Sequence, residues 1–195
     1  MKRLRRTEWL EKEIEILEGT FIVFGQKGLK FTMDDLSNEL NISKKTIYVY
    51  FISKECLLEN MVDYAFYRIR QKKSETRRKD LPIEEKIYQE ITCLPDIYYQ
   101  IDIRKLDALR DRYPRVHRKM LSEIESNWDE TYALLEEGMK QGVIKQISLP
   151  VVKGLIAGAV EVFLSATFLT EEGVNYTDAL NEAMKIIMEG IRVHA

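Results

Sequence analysis

A short segment near the N-terminus combines positive charge, hydroxyl groups and aromatic rings. It reads Ser43-Lys44-Lys45-Thr46-Ile47-Tyr48-Val49-Tyr50-Phe51. Lysine ammonium groups bind phosphates and donate to guanine edges, and threonine and tyrosine hydroxyls can bond phosphates or bases. Ile47 and Phe51 lie four residues apart, so they share one helical face that can dock on a protein core. The lysines and tyrosines are then left for contacts with duplex DNA.

Two short helices joined by a tight turn must hold this segment in place. Thr32 can cap the first of them, with Asp34 and Asp35 in the first turn, where the helix dipole favours anions. Asn41 tolerates the left-handed backbone of a tight turn, and Ser43 can cap the second helix. The sequence therefore predicts a helix-turn-helix whose second helix fits the major groove of DNA, about 12 Å wide.

Helical periodicity continues through the rest of the chain, and strand-like alternation is nearly absent. The sequence predicts an all-α fold of about nine helices, in which an N-terminal three-helix helix-turn-helix domain precedes a helical body. We expect the DNA-binding domain at residues 1–52 and a dimerisation and ligand-sensing domain at 53–195. A helix over residues 53–79 connects the two, and one long helix is predicted at about 114–138.

Charge and composition narrow the classes of function. Residues 1–80 carry 17 Lys and Arg against 13 Asp and Glu, whereas residues 81–195 carry 13 against 19. This asymmetry favours an anionic partner for the first half, with chance variation among solvated faces as the alternative. Cys56 and Cys93 have no CxxC or His/Cys company, so we expect no disulfide framework, no metal and a cytoplasmic protein. No run is long and apolar enough to span a bilayer, so no membrane partner is expected.

The linked positions of residues 31–57 resemble the DNA-binding signature of TetR-like transcriptional regulators. After Thr32 and an apolar-rich helix come Ser-x-x-Thr-apolar-Tyr-x-Tyr-Phe at 43–51 and Ser-Lys-Glu-x-Leu at 53–57. As a set these positions are highly specific, and the resemblance covers about the first 65 residues. The family usually has glycine where Asn41 stands and a small residue or proline where Lys45 stands.

The resemblance implies a sequence-specific DNA-binding transcriptional regulator, usually a repressor in this family, and a role for each matching residue. Thr32, Thr46, Tyr48 and Lys54 would hold the phosphate backbone, and Lys44, Lys45 and Tyr50 would lie nearest to the bases. The predicted DNA-binding set is Thr32, Ser43, Lys44, Lys45, Thr46, Tyr48, Tyr50 and Lys54. Taken singly, the tyrosines could be core aromatics and the lysines a solvated face.

One helix-turn-helix contacts only a few base pairs, so a near-palindromic operator requires a homodimer with its readers about 34 Å apart. The last two helices, predicted at about 150–169 and 176–193, carry apolar stripes, and the resemblance implies a four-helix dimer interface. The predicted interface residues are Val152, Leu155, Ile156, Ala159, Phe163, Met184, Ile187 and Ile191. The alternative is that these side chains are buried inside one subunit.

The resemblance further implies a pocket for a small-molecule effector among the middle helices. Aromatic rings and methionine suit an apolar or flat ligand. The candidate lining residues are Ile91, Cys93, Tyr98, Tyr99, Met120, Trp128, Tyr132, Phe163 and Phe168. For each of them, ordinary core packing stays the alternative.

Three classes of function were weighed. The leading interpretation is a repressor released by a small-molecule ligand. A DNA-binding regulator that responds to a protein partner, without such a pocket, is the alternative. An enzyme is not expected, because the sequence has no Ser-His-Asp set, Gly-rich phosphate loop, HExxH motif or paired carboxylates. No cofactor is expected either.

Overall fold

The computed structural model describes residues 8–95, 103–106, 108–126, 128–165, 169 and 171–194. Apart from one isolated bridge between Ile144 and Arg192, the regular elements in these ranges are helices. The predicted all-α fold is therefore confirmed. None of the helices within the described ranges is long and apolar enough to cross a membrane.

The elements follow one another along the chain without long described loops. The N-terminal part contains α1 (Glu11–Lys27), a first 3-10 turn (Gly28–Lys30), α2 (Met33–Glu39), α3 (Lys44–Tyr50) and α4 (Lys54–Arg77). The rest contains α5 (Ile83–Thr92), a second 3-10 turn (Ile103–Leu106), α6 (Leu109–Arg112), α7 (Pro114–Glu125), α8 (Asp129–Lys140), α9 (Leu149–Ser165) and α10 (Tyr176–Ile191).

Packing divides the chain into two compact units. Unit 1 comprises the described residues of Met1–Ile69 and Asp96–Leu121, and unit 2 those of Arg70–Pro95 and Ser122–Ala195. Helix α4 contributes residues to both units. The boundary expected after residue 52 is a division by function and stays a prediction.

The core of unit 1 is built on the apolar face of α1. Ile16, Leu17 and Phe24 are fully buried, and α1 packs on α2, which packs on α3. The helices approach closely at Gly19, where a Cβ atom would lie 2.6 Å from Cδ2 of Leu40. Glycine is therefore the residue that lets the C-terminal end of α2 rest against α1.

The long helix predicted at about 114–138 is divided into α7 and α8. Ser126 follows the last residue of α7, and its hydroxyl donates to the carbonyl of Glu123 at 3.0 Å. Asp129 and Glu130 then stand in the first turn of α8, where the helix dipole favours acidic side chains. A serine hydroxyl competes for backbone partners and favours a helix end, which the apolar periodicity does not reveal.

A second hydrophobic core lies in unit 2, where α8 and α10 pack on α5 and α9 packs on α10. Its buried members are Ile87, Leu135, Ile144, Val152, Ile156, Met184 and Ile191. The same unit buries the carboxylate of Glu90, which pairs with Arg77 at 2.8 Å and with Lys73 at 3.3 Å. The C-terminal end of α4 is thereby fastened to α5.

Candidate nucleic-acid interface

The turn between α2 and α3 is fixed by its backbone. Asn41 has a φ of 51°, the left-handed conformation predicted for this position. The amide of Ile42 donates to the carbonyl of Ser37 at 3.1 Å, and the Ser37 hydroxyl donates back to the carbonyl of Ile42. These bonds set the angle at which the chain enters α3.

Helix α3 is capped at its start and anchored through one face. The Ser43 hydroxyl accepts from the amide of Thr46 at 3.1 Å and lies 2.9 Å from the Thr46 hydroxyl. Ile47 is fully buried, and residues two positions before and after it point to the opposite side at 3.6 residues per turn. That outward side presents Lys45 and Val49.

Val49 is a candidate contact that was absent from the predicted set. Its side chain is 70% exposed, and Tyr48 beside it is also exposed, whereas Tyr50 is half-buried. Valine methyl groups can contact the methyl group of thymine. The signal in the sequence was the two-residue offset of Val49 from Ile47, which places it away from the core.

The two lysines of α3 have different surroundings. Nζ of Lys44 lies 2.8 Å from a carboxylate oxygen of Asp34 on α2, and this hydrogen bond raises the pKa of Lys44. Lys45 is exposed and makes no ion pair with any residue in the described ranges. Of the two, Lys45 is the cation that a phosphate or base can reach without breaking an ion pair.

Thr32 caps α2 through a reciprocal pair of bonds. Its hydroxyl accepts from the amide of Asp35 at 3.1 Å, and its own amide donates to the Asp35 carboxylate at 2.7 Å. The carboxylate also bonds Lys27 at 2.6 Å. The Lys27 ammonium, with help from the Thr32 amide, lowers the pKa of Asp35 to about 2. Thr32 is exposed at the start of α2, but its hydroxyl is already engaged within the protein.

Lys54 braces the loop before α2. Its ammonium donates to the carbonyl of Leu29 at 2.8 Å and to the carbonyl of Phe31, and it lies 3.9 Å from the centre of the Phe31 ring. Burial, followed by the nearby Arg112 guanidinium, lowers the pKa of Lys54. An ammonium has three donors, so at most one remains for the DNA phosphate that sequence reasoning assigned to it.

This reader has counterparts among known proteins. Residues 16–61, from within α1 to within α4, match the family model for bacterial regulatory proteins of the tetR family. The chain is also 25% identical to the uncharacterized HTH-type transcriptional regulator YvaF of Bacillus subtilis (strain 168), over 90% of this chain and 93% of YvaF.

The chain belongs to the TetR family. It is a DNA-binding transcriptional regulator and not an enzyme.

Solved structures share the fold over nearly the whole length. The fatty acid degradation regulator FadR from Bacillus halodurans superposes with a TM-score of 0.69 at 15% identity, over 96% of this chain and 100% of that one. FadR from Bacillus subtilis in complex with stearoyl-CoA gives a TM-score of 0.58 at 15% identity, over 92% and 99%. At these identities the likeness establishes the TetR-family fold alone.

The ligand-pocket candidates of this TetR-family chain lie in different surroundings. Ile91, Trp128 and Tyr132 pack around the core of unit 2, and the Trp128 and Tyr132 rings are 6.2 Å apart. Phe163 instead packs against a smaller cluster formed by Leu169 and Ala179.

The remaining pocket candidates are not brought to these two clusters. Met120 is buried in unit 1. Cys93 is half-buried in unit 2, and burial raises the pKa of its thiol. Tyr98, Tyr99 and Phe168 lie outside the described residues. The assignment of a shared pocket to these side chains stays a prediction.

The predicted dimer residues divide between core and surface. Four of them belong to the buried core of unit 2, namely Val152, Ile156, Met184 and Ile191. Ala159, Phe163 and Ile187 are half-buried, and Leu155 is 58% exposed. Adjacent apolar residues of α9 thus face opposite ways, and the surface available to a partner is narrower than the predicted stripe.

The exposed side of α9 and α10 carries further apolar residues that sequence reasoning did not select. Val151 and Val162 on α9 are exposed, and Ile186 on α10 is 65% exposed. Gly154 and Gly158 lie on the same side of α9, with open space where a Cβ atom would be. We call Val151, Leu155, Val162 and Ile186 the exposed apolar face.

Proposed function

We propose that this TetR-family regulator binds a near-palindromic duplex as a homodimer, represses transcription there, and leaves the DNA when a small molecule binds its body. The observation that carries the proposal is the orientation of α3. Ile47 is buried beneath it, while Lys45, Tyr48 and Val49 are exposed on the outside. A cation, a phenol and a methyl-bearing side chain suit phosphates and base edges in a major groove.

Residue roles within the reader follow from their surroundings. Lys45 and Val49 are the proposed base contacts, because they stand opposite the buried Ile47. Tyr48 and Thr46 flank them with hydroxyl groups suited to phosphate oxygens. Lys44 is a weaker base contact than the sequence implied, because its ammonium is already paired with Asp34.

A second copy of this chain is the proposed occupant of the exposed apolar face. One α3 reads only a few base pairs, so a near-palindrome needs two readers about 34 Å apart. Large apolar side chains that are more than half exposed, such as Leu155 and Ile186, favour burial against a symmetry-related copy. Gly154 and Gly158 allow the two α9 helices to approach closely.

An effector with a long apolar chain is the proposed ligand. Support comes from the shared fold of the Bacillus subtilis FadR complex, which holds stearoyl-CoA, and from the aromatic and methionine candidates of the body. Because α4 has residues in both units, it is the element proposed to carry the effect of the ligand to α3. Linkage requires ligand and DNA to weaken each other by one factor, typically worth about 1–3 kcal/mol.

The test begins with selection of bound duplexes from a random pool by the wild-type protein. Affinity for the selected duplex is then measured alone, with stearoyl-CoA and with free CoA as the control that lacks the acyl chain. We expect weaker DNA binding with stearoyl-CoA only. If acyl-CoA binds tightly but DNA affinity stays constant, the release mechanism is wrong. If neither acyl-CoA nor a wider ligand screen stabilises the protein against heat, the protein-partner alternative is favoured.

A further inference from the structure

A basic groove opens on unit 1 beside the start of α2. Its volume is about 660 Å³, and its lining consists of Leu29, Lys30, Phe31, Thr32, Lys54, Arg112 and Tyr113. Leu29 and Phe31 are buried and form an apolar base, whereas Lys30, Thr32 and Arg112 are exposed. Three of the seven lining side chains are cations, and none is acidic, so the groove suits an anion.

The cations of this groove are not neutralised within the protein. The Arg112 guanidinium and the Lys54 ammonium are close enough to repel, and this repulsion adds to burial in lowering the pKa of Lys54, with Asp35 acting weakly in the opposite direction. Neither Lys30 nor Arg112 makes a hydrogen bond or ion pair with any residue in the described ranges. Bringing like charges together is unfavourable, and an anion bound between them reverses the sign of that interaction.

The segment that supplies Arg112 is fastened to the reader. The second 3-10 turn, Ile103–Leu106, packs against the first, Gly28–Lys30, and Nζ of Lys105 donates to the carbonyl of Gly25. Arg112 ends the short helix α6 that follows. Its position beside Lys54 is therefore held by contacts to the connection between α1 and α2.

We propose that this groove binds a phosphate of the DNA backbone adjoining the bases contacted by α3, and that Arg112 is a DNA-contacting residue outside the helix-turn-helix. The inference rests on the proposed function, since Thr32 and Lys54 belong both to the groove and to the predicted DNA-binding set. A guanidinium binds phosphate oxygens through two parallel N–H groups. The phosphate of a free small molecule has the same chemistry, so the experiment must separate the two sources.

The test compares Arg112→Gln with Arg118→Gln on the full-length protein. Arg118 is an exposed cation of α7 in unit 1 that does not line the groove, so its loss changes the net charge equally. Affinities for the selected duplex and for a scrambled duplex are measured between 50 and 200 mM salt. Thermal melting verifies that each variant is folded, and Lys30→Gln serves as a second groove variant.

We expect Arg112→Gln to weaken binding to both duplexes equally and to reduce the salt slope by about 0.9, the value for one lost phosphate contact. Its deficit relative to wild type should then be about 3.5 times larger at 50 mM than at 200 mM salt. Arg112→Lys should restore part of the affinity, and Arg118→Gln should keep the wild-type slope.

Two results overturn the proposal. The first is a wild-type slope for folded Arg112→Gln and Lys30→Gln while Tyr48→Phe loses affinity, which leaves the proposed function intact. The second is a loss of inorganic phosphate or pyrophosphate binding, measured by calorimetry, in an Arg112→Gln protein that binds DNA normally. That result would assign the groove to a free phosphate compound instead of DNA.

Discussion

Nζ of Lys44 lies 2.8 Å from a carboxylate oxygen of Asp34, and this ion pair joins the recognition helix α3 to α2. Both side chains are exposed at the DNA-facing end of the reader, so the pair itself contributes little stability, about 0–1 kcal/mol. Its larger consequence is electrostatic, because it occupies one of only two lysines on α3.

Replacing Asp34 with asparagine should therefore strengthen DNA binding. Asp34→Asn releases the Lys44 ammonium and removes a negative charge near the phosphates, so affinity for any duplex should rise about three- to tenfold at low salt and less at high salt. The matched control is Glu39→Gln, which removes an exposed charge from the other end of α2. An equal gain in both variants would attribute the effect to net charge alone.

Base preference should depend on Lys45 and Val49 more than on Lys44. Lys45→Ala should reduce discrimination at one operator position by about 1–3 kcal/mol. Val49→Thr keeps the side-chain shape but replaces one methyl group with a hydroxyl, so it should weaken a preference for thymine. Selection from random duplexes with each variant measures both effects. A changed preference in Lys44→Ala, with none in Lys45→Ala, would contradict this orientation of α3.

Lys54 should contribute to stability as well as to DNA binding. Lys54→Met removes the donors to the carbonyls of Leu29 and Phe31, so the free energy of unfolding should fall by about 1–2 kcal/mol, the lower part of the range for bonds to a charged group because Lys54 is only partly buried. Urea unfolding measures the change. A variant that loses DNA affinity at unchanged stability would show that Lys54 acts on phosphate alone.

Two neighbouring residues of α9 should separate dimerisation from folding. Leu155→Glu places a charge on the exposed apolar face and should yield folded monomers with weak operator binding, and Ile186→Glu should behave alike. Ile156→Ala instead leaves a cavity in the core of unit 2, where Ile156 is 2% exposed, and should lower the free energy of unfolding by about 2–4 kcal/mol without dissociating the dimer.

Sedimentation and urea unfolding of the same samples give both quantities for the α9 variants. Stable dimers of Leu155→Glu and Ile186→Glu would place the interface elsewhere on the chain.

Acid should weaken the reader through Asp35. The pKa of this carboxylate falls from 3.8 to about 2 on folding, because Lys27 and the amide of Thr32 bond its charged form. The stabilisation is thus complete above about pH 4 and is lost as pH falls toward 2. The stability difference between wild type and Asp35→Asn should shrink over that range, as followed by thermal melting.

Lys27 provides the control for the acid experiment. Lys27→Met removes the largest cause of the lowered pKa, so the loss of stability should move to higher pH, toward 3.8. An Asp35→Asn difference that stays constant from pH 5 to pH 2 would mean that the carboxylate does not stabilise the fold.

The reader could be predicted from sequence because its defining interactions are local. Thr32 bonds Asp35 and Ser43 bonds Thr46, each across three residues, so residue type and spacing suffice to locate both helix starts. The left-handed turn at Asn41 belongs to the same class. These short-range preferences hold whatever the rest of the chain does, and together with the linked signature they identified the family.

Partners distant in sequence were decided by the tertiary structure alone. Lys54 bonds carbonyls 25 and 23 residues away, and Arg112 approaches it from a different part of the chain. Ile156 and Leu155 are equally apolar neighbours, yet one is buried and the other exposed. The apolar stripe of a helix limits which faces can be buried, but the burial of each side chain is chosen by the helices that pack against it, and those arrive from residues with no fixed spacing to it.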